Sequence, residues 1–388
     1  MNIEPIISVI VPVYNKEKRI ENAVDSVVKT NHGNYEVIIV DDGSTDESGK
    51  IADNLANKYK KVRVIHQDNQ WVYAAFNRGI KEASGKYIYI LNADDQLYDG
   101  VVDYMSSKVE EYNYPDVVWT FCDEYYGGTD DGDWKNLNEK RQIEGEEYYH
   151  DKKTLGENWI KLFSLHIIDN QANLYKRELA YSHPFRNDVY GADGLFNIGI
   201  ADYIQTSLLI NCRVYKFYKY DNPEELNISR GRFYPYIHSM NNEIYEGHIE
   251  YLSRSGVNDE KAKSILARWR INSFMDELLS LAKENCPYTV EKKVETIFYE
   301  YYDECIVKCA KVLSSEEELE GRIIFALRNI FYHEIPERDT MAYFYYRLIQ
   351  SIHRFEKTED DYIFIREAIN DKRNIYKIGK RLTKELFE

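Results

Sequence analysis

Two pairs of neighbouring carboxylates, Asp41-Asp42 and Asp94-Asp95, each stand at the end of a short apolar run, Val37–Val40 and Tyr87–Leu91. A third acid, Asp193, precedes Leu195-Phe196. Alone, Asp41-Asp42-Gly43 is a common turn and Asp193 a favoured helix cap. Taken together, two acidic turns in equivalent positions suggest a site that binds a polar or charged ligand. In open α/β sheets ligands bind at the carboxyl ends of the strands, which is where both turns fall.

The elements that would carry these turns follow from hydrophobic spacing. Residues 6–13 form a β-branched apolar run ending in Pro12-Val13-Tyr14-Asn15. Ile20, Ala23, Val24, Val27 and Val28 then recur at helical spacing and make one buried stripe. The second strand, 37–40, leads through the first acidic turn to a helix over about 46–59, with Ser44 and Glu47 spaced as a capping box. Residues 62–65 read as a third strand, 71–83 as a helix and 87–91 as a fourth strand ending at Asn92-Ala93-Asp94-Asp95. Such alternation predicts a parallel sheet with helices on both faces, both acidic turns at one edge. A further strand is expected over 116–122, a loop over 123–150, a return to the sheet at 172–175 and a helix from 196. From about residue 236 glycine and proline become rare and long helical patterns follow, including one over 290–313. The expected organisation is an α/β domain, 1–235, followed by an all-helical domain, 236–388.

The chain has 388 residues, 66 acidic against 50 basic, for a net charge of −16. That balance argues against binding nucleic acid, which needs clustered Lys and Arg. An anionic substrate would need a local device such as a metal ion or a helix N-terminus. The five cysteines are scattered, as expected of reduced cytosolic thiols rather than a disulfide framework, and Cys305 and Cys309 read as packing residues on one helix face. The first fifteen residues read as a strand rather than a signal peptide, and no apolar run reaches the roughly 20 residues that span a bilayer. The expected location is cytoplasmic. The segment Lys372–Phe387 is basic and amphipathic: one reading packs it on its own domain, the other lays it on the inner face of an anionic membrane. Most of the 35 tyrosines need no functional explanation.

Four short pieces in order, PVYN at 12–15, VDDGSTD at 40–46, GKYIYILNADD at 85–95 and ADGLF at 192–196, resemble the family 2 glycosyltransferases, inverting enzymes of the GT-A fold. The resemblance spans about residues 5–235. It implies transfer of a sugar from a UDP-sugar to an acceptor hydroxyl, on a glycan or a lipid-linked acceptor, in bacterial surface polysaccharide or glycoconjugate synthesis. By resemblance Asp42 would accept from the uracil N–H, Tyr14 would cover the ring and Asp41 would lie near the ribose. Pro12, Asn15, Asn69, Asn77, Asn92 and Ala93 would complete the donor site. Asp94, with Asp95 beside it, would hold Mn²⁺ or Mg²⁺ against the diphosphate, and Asp193 would be the base. Arg230, Arg232 or His238 would reach the phosphates, and the helical domain would bind acceptor, membrane or a second copy of the chain.

The chain departs from the family pattern at four places. The Asp-x-Asp motif begins with Asn92, the residue before the base is Ala192 rather than Glu, a glycine has become Trp71 and an arginine Phe76. These changes motivate a rival reading, a nucleotide-sugar-binding relative whose catalysis has lapsed. No Gly-x-Gly-x-x-Gly follows the first strand, so a dehydrogenase lacks support. A processive membrane synthase is not expected either, because its Gln-x-x-Arg-Trp element is absent.

Overall fold

A computed structural model describes residues 4–127, 135–136, 145–168, 172–189, 191–220, 233–281, 283 and 285–313. The chain divides into two compact units, one of residues 1–227 with 250–257 and one of residues 228–249 with 258–388.

The first unit is built on one mixed sheet. Its strands are β1 (Ile7–Val13), β2 (Tyr35–Asp41), β3 (Val62–His66), β4 (Tyr87–Ile90), β5 (Gln96–Leu97), β6 (Val117–Gly127), β7 (Lys135–Asn136), β8 (Glu146–Tyr149), β9 (Leu174–Lys176) and β10 (Ser207–Tyr220). Its helices are α1 (Ile20–Val28), α2 (Ser48–Lys58), α3 (Val72–Glu82), α4 (Val101–Glu111), α5 (Lys152–Ser164), α6 (Arg177–Ser182) and α7 (Ala192–Ile200). The sheet runs β3-β2-β1-β4-β9-β6-β10-β5, with β7 on β6 and β8 on β10. The first four strands are mutually parallel, as expected, with Val9 level with Val37 and Tyr89. The strand β9 then enters antiparallel to both β4 and β6.

Every residue of β1 is buried, because helices cover both faces and leave no room for alternation. The stripe Ile20, Ala23, Val24 and Val27 of α1 is fully withdrawn from solvent. On α3, Gly79 lies so close to β1 that a Cβ there would come within 2.4 Å of Ile10 Cγ2. Close seating of that helix brings its first turn to the carboxyl edge of the sheet.

Three elements differ from the sequence reading. The capping box does not form: α2 starts at Ser48, and the Ser44 hydroxyl accepts from the Asn15 backbone N–H at 3.1 Å instead. The span expected to be a loop from 123 begins as sheet, since β6 runs on to Gly127 beside β10, and it ends in β8. The helix expected over 290–313 is broken.

In the second unit, α8 (Ile237–Arg254) and α9 (Glu260–Ser280) are followed by α10 (Val290–Glu295), a π-wound turn over Thr296–Tyr301, and α11 (Glu304–Val312). The break comes at Tyr302-Asp303, where the Asp303 carboxylate caps α11 by accepting from Ile306 N–H at 3.0 Å. Cys305 and Cys309 are both buried on α11. The core of this unit holds charge: Arg270 is fully buried and donates to Glu277 at 2.9 Å and to Asn242 at 2.7 Å. No described helix is long and apolar enough to cross a membrane.

Candidate active site

Parallel order β3-β2-β1-β4 sends the turns after β1, β2, β3 and β4 to the same edge, so Tyr14–Lys16, Asp41–Ser44, Gln67–Gln70 and Asn92–Asp95 form one rim. Their backbones and side chains are laced together. Asp42 N–H donates to Val13 C=O at 2.9 Å, and Gln67 N–H to Asp41 C=O at 2.9 Å. The Asn15 side chain accepts from Thr45 N–H at 2.8 Å, which holds Asn15 with φ at 51°. Gly43 closes the second turn with φ at 73°, and a Cβ there would stand 2.8 Å from the Asn69 nitrogen. The chain needs glycine at that point on both counts.

The two acids of the first turn do different work. Asp41 faces inward, accepting from Ser44 N–H at 3.0 Å and lying 2.9 Å from His66 Nδ1. That contact, more than the second carboxylate Asp53, raises the His66 pKa above its ordinary value. Asp42 takes hydrogen bonds on Oδ1 from the Gln67 amide at 2.7 Å and Gln70 N–H at 2.9 Å. The loop after β3 is thereby tied to it.

In the second acidic turn, Asp94 Oδ2 meets Lys16 Nζ at 2.7 Å. Asp95 points the other way. It is buried, and accepts from Tyr215 O–H at 2.7 Å, Tyr218 N–H at 2.9 Å and Asn92 Nδ2 at 3.2 Å. Burial, and then the neighbouring Asp94 charge, push its carboxyl well above the usual carboxylate range. Asp95 therefore braces the turn against β10 and is not presented as a ligand, contrary to expectation.

A cation at this rim would be held by Asp94, and no group of three His, Cys, Asp or Glu side chains that could hold a metal occurs among the described residues. That donor set fits a hard divalent ion shared with the phosphates of a substrate rather than an ion held by protein alone, the usual mode for Mg²⁺.

Asp193 lies in the first turn of α7, inside the helix rather than ahead of it, and half-buried. Tyr73, on the first turn of α3, donates its hydroxyl to Asp193 Oδ2 at 3.0 Å and accepts from Gly191 N–H at 3.0 Å. The residues run as a chain: Asp42 to Gln70, three positions along to Tyr73, and across to Asp193. Ala192 is fully buried, so the glutamate of the family pattern would face the interior here.

Of the other expected residues, Pro12, Ala93 and Asn77 sit apart from the rim's open side. Pro12 lies inside β1, level with Val40, and is buried. Ala93 is buried as well. The Asn77 amide is used by the Phe185 backbone, donating at 2.7 Å and accepting at 2.9 Å. Its role is to join α3 to the segment before α7. Tyr14 and Asn69 are exposed at the edge. Phe76, where an arginine was expected, is fully buried with its ring 5.4 Å from Tyr73 and 5.3 Å from Phe185. Trp71, in the glycine's place, keeps a glycine-like backbone at φ 76° and ψ 160° with more than half its surface exposed. His238 belongs to the helical unit, where its ring nitrogens lie 2.6 Å from Glu277 and 2.9 Å from Asp303, so it is not available to a phosphate. Arg230, Arg232 and the segment 372–387 lie outside the described residues.

Sequence reasoning missed Lys16, Tyr73 as a polar partner, and Tyr215. The signal for Tyr73 was its hydroxyl, since a buried tyrosine O–H ordinarily finds an acceptor. For Lys16 the signal was adjacency: it follows the first strand, and the fourth strand is that strand's neighbour.

Comparison with known proteins agrees with this geometry. The family profile described as Glycosyl transferase family 2 matches residues 8–182. The chain is 39% identical over 114 residues to an uncharacterized glycosyltransferase, EpsJ, of Bacillus subtilis, covering 29% of this chain and 33% of that one. It is 38% identical over 117 residues to glycosyltransferase GlyG of Streptococcus pneumoniae, covering 30% of this chain and 39% of that one. These matches span between a third and two fifths of each relative. Among solved structures, TarS 1–349 of S. aureus, crystallised with UDP, superposes with a TM-score of 0.55 at 16% identity, over 95% of this chain and 92% of that one. That likeness is one of fold, a GT-A sheet with a helical region after it. The rim and the motifs that build it lie within residues 8–182, the part of the chain that matches glycosyl transferase family 2.

Proposed function

We propose that the protein is an inverting glycosyltransferase that moves a sugar from a UDP-sugar to an acceptor hydroxyl during glycan or glycoconjugate synthesis. One observation carries the reading: two acidic turns share the carboxyl edge of one sheet, and Asp193 is bound to that rim through Tyr73. The UDP in the TarS crystal structure supports a nucleotide-sugar donor.

In this reading Asp42 and Tyr14 receive the nucleobase and Asp94 faces the diphosphate. A divalent cation, Mn²⁺ or Mg²⁺, shared between Asp94 and the phosphates would stabilise the charge of the departing diphosphate. The acceptor oxygen bonds to the anomeric carbon from the face opposite the diphosphate, the carbon–diphosphate bond breaks, and the acceptor proton passes to Asp193. Tyr73 keeps one carboxylate oxygen of Asp193 occupied and so fixes the direction of the other.

The test is Asp193→Asn in a donor panel of UDP-, GDP- and dTDP-sugars, with and without Mn²⁺. Transfer or donor hydrolysis should fall by at least about 100-fold, the usual contribution of a general base, with UDP binding and folding retained. Activity at the wild-type level would remove Asp193 from the mechanism. Wild-type protein that binds UDP and never turns over would favour the lapsed-catalysis reading, which rests on Asn92, Trp71 and the burial of Phe76.

A further inference from the structure

Asp94 is met by a cation that belongs to the chain. Lys16 Nζ stands 2.7 Å from Asp94 Oδ2, and the two side chains keep 23% and 12% of their exposure. Most surface ion pairs lie open to water and contribute little; these two groups are largely withdrawn from it, so the pairing is stronger than usual. The lysine is also held in place. Its backbone N–H donates to Ser48 Oγ at 2.7 Å, and its C=O accepts from Arg19 and Ile20 N–H at 2.9 and 3.0 Å as α1 begins. From there the side chain spans the gap between the ends of two adjacent strands, β1 and β4.

Two further observations bear on what this cation does. The arginine position of the family pattern is Phe76, buried in an aromatic cluster, so α3 presents no guanidinium there. The carboxylate beside Asp94 is committed to Tyr215 and Tyr218, which leaves Asp94 as the carboxylate this turn would offer a divalent ion. An ammonium and a divalent ion cannot both sit against one carboxylate oxygen without mutual repulsion.

Building on the functional reading above, we propose that Lys16 is an internal counter-ion: it holds Asp94 when the site is empty and turns to the diphosphate when a nucleotide brings a divalent ion to Asp94. Two consequences follow from charge alone. With no nucleotide present, Lys16 competes with metal for Asp94. With nucleotide and no metal, Lys16 supplies positive charge to the diphosphate in the place of the missing arginine. Metal and donor then bind together far better than metal binds alone.

The experiment is isothermal titration of the full chain with MnCl₂ alone, UDP in EDTA, and UDP with Mn²⁺, for wild type, Lys16→Met and Lys18→Met. Methionine keeps the apolar stem of lysine and removes the charge. Lys16→Met should bind UDP at least tenfold more weakly in EDTA and Mn²⁺ alone at least fivefold more tightly, while Lys18→Met, an exposed neighbour of the same charge, should change neither. Wild-type UDP binding with Lys16→Met unchanged in both titrations would overturn this inference alone. Wild type that binds no nucleoside diphosphate under any condition would overturn the functional reading and this inference with it.

Discussion

Trp71 offers a test in which the backbone can be separated from the side chain. Its φ of 76° and ψ of 160° lie in a region that glycine visits freely and L residues occupy at a cost of about 1–3 kcal/mol. The conformation is pinned from both sides: Gln70 N–H donates to Asp42 at 2.9 Å, and Trp71 C=O accepts from Ala74 N–H at 3.0 Å as α3 starts. The residue is 54% exposed, so burial of its side chain recovers only part of that strain. Trp71→Gly and Trp71→Ala both remove the indole, and the difference between them isolates the Cβ. On ordinary backbone alanine is the more stable by about 0.4–1 kcal/mol, because it restricts the unfolded chain. Here the strain opposes that term and exceeds it, so Trp71→Gly should be more stable than Trp71→Ala by about 1–2 kcal/mol. For a unit of this size that is a Tm difference of roughly 2–8 °C. Thermal and urea unfolding of the two variants, followed by far-UV circular dichroism, reads it directly. An alanine variant as stable as the glycine variant, or more so, would show that residue 71 does not hold a left-handed backbone and that the loop after β3 is built differently.

In the helical unit, Arg270→Ala would leave Glu277 buried with His238 and Asn241 as its remaining partners. Removing one partner of such a pair costs about 3–5 kcal/mol, and the low end is expected because His238 and Asn241 stay. A loss under about 1 kcal/mol in chemical unfolding would contradict the network. His66 should make stability depend on pH. Its pKa is raised in the folded state by Asp41 first, so its contribution is complete below the unfolded value of about 6.5 and is lost as pH rises through the folded value. The stability gap between wild type and His66→Gln, measured from about pH 5.5 to 9, should therefore narrow with rising pH. A gap that widens would refute the assignment.

The parallel half of the sheet was legible because its signals are local. Apolar runs in 6–13, 37–40 and 87–90 and the stripe on α1 carry their own periodicity, and the edge they share follows from strand direction alone. What escaped the sequence was pairwise. Nothing local distinguishes Asp94 from Asp95, yet one meets Lys16 and the other turns into the β10 side, a difference set by Tyr215, 120 residues away from Asp95. Asn77 looked like a ligand residue because its type matched a motif; its amide is spent on the backbone of Phe185, a partner 108 residues along the chain. The break before α11 was announced by Asp303, a strong capping residue, within a pattern whose apolar spacing ran on regardless.

The three residues of β9 wedge a reversed strand between β4 and β6, and the chain reaches them only after a long detour from Gly127. Closing a flexible loop grows harder only with the logarithm of its length, so doubling one of the loops in that detour would destabilise the protein by roughly 0.6 kcal/mol. That tolerance belongs to the joints of the detour and not to its elements, because β8 pairs with β10 and α5 buries Leu155, Trp159 and Leu162. The wedge itself has no such latitude: a one-residue slip would turn Leu174 and Tyr175 to opposite faces and shift the path that carries Asp193 back to the rim.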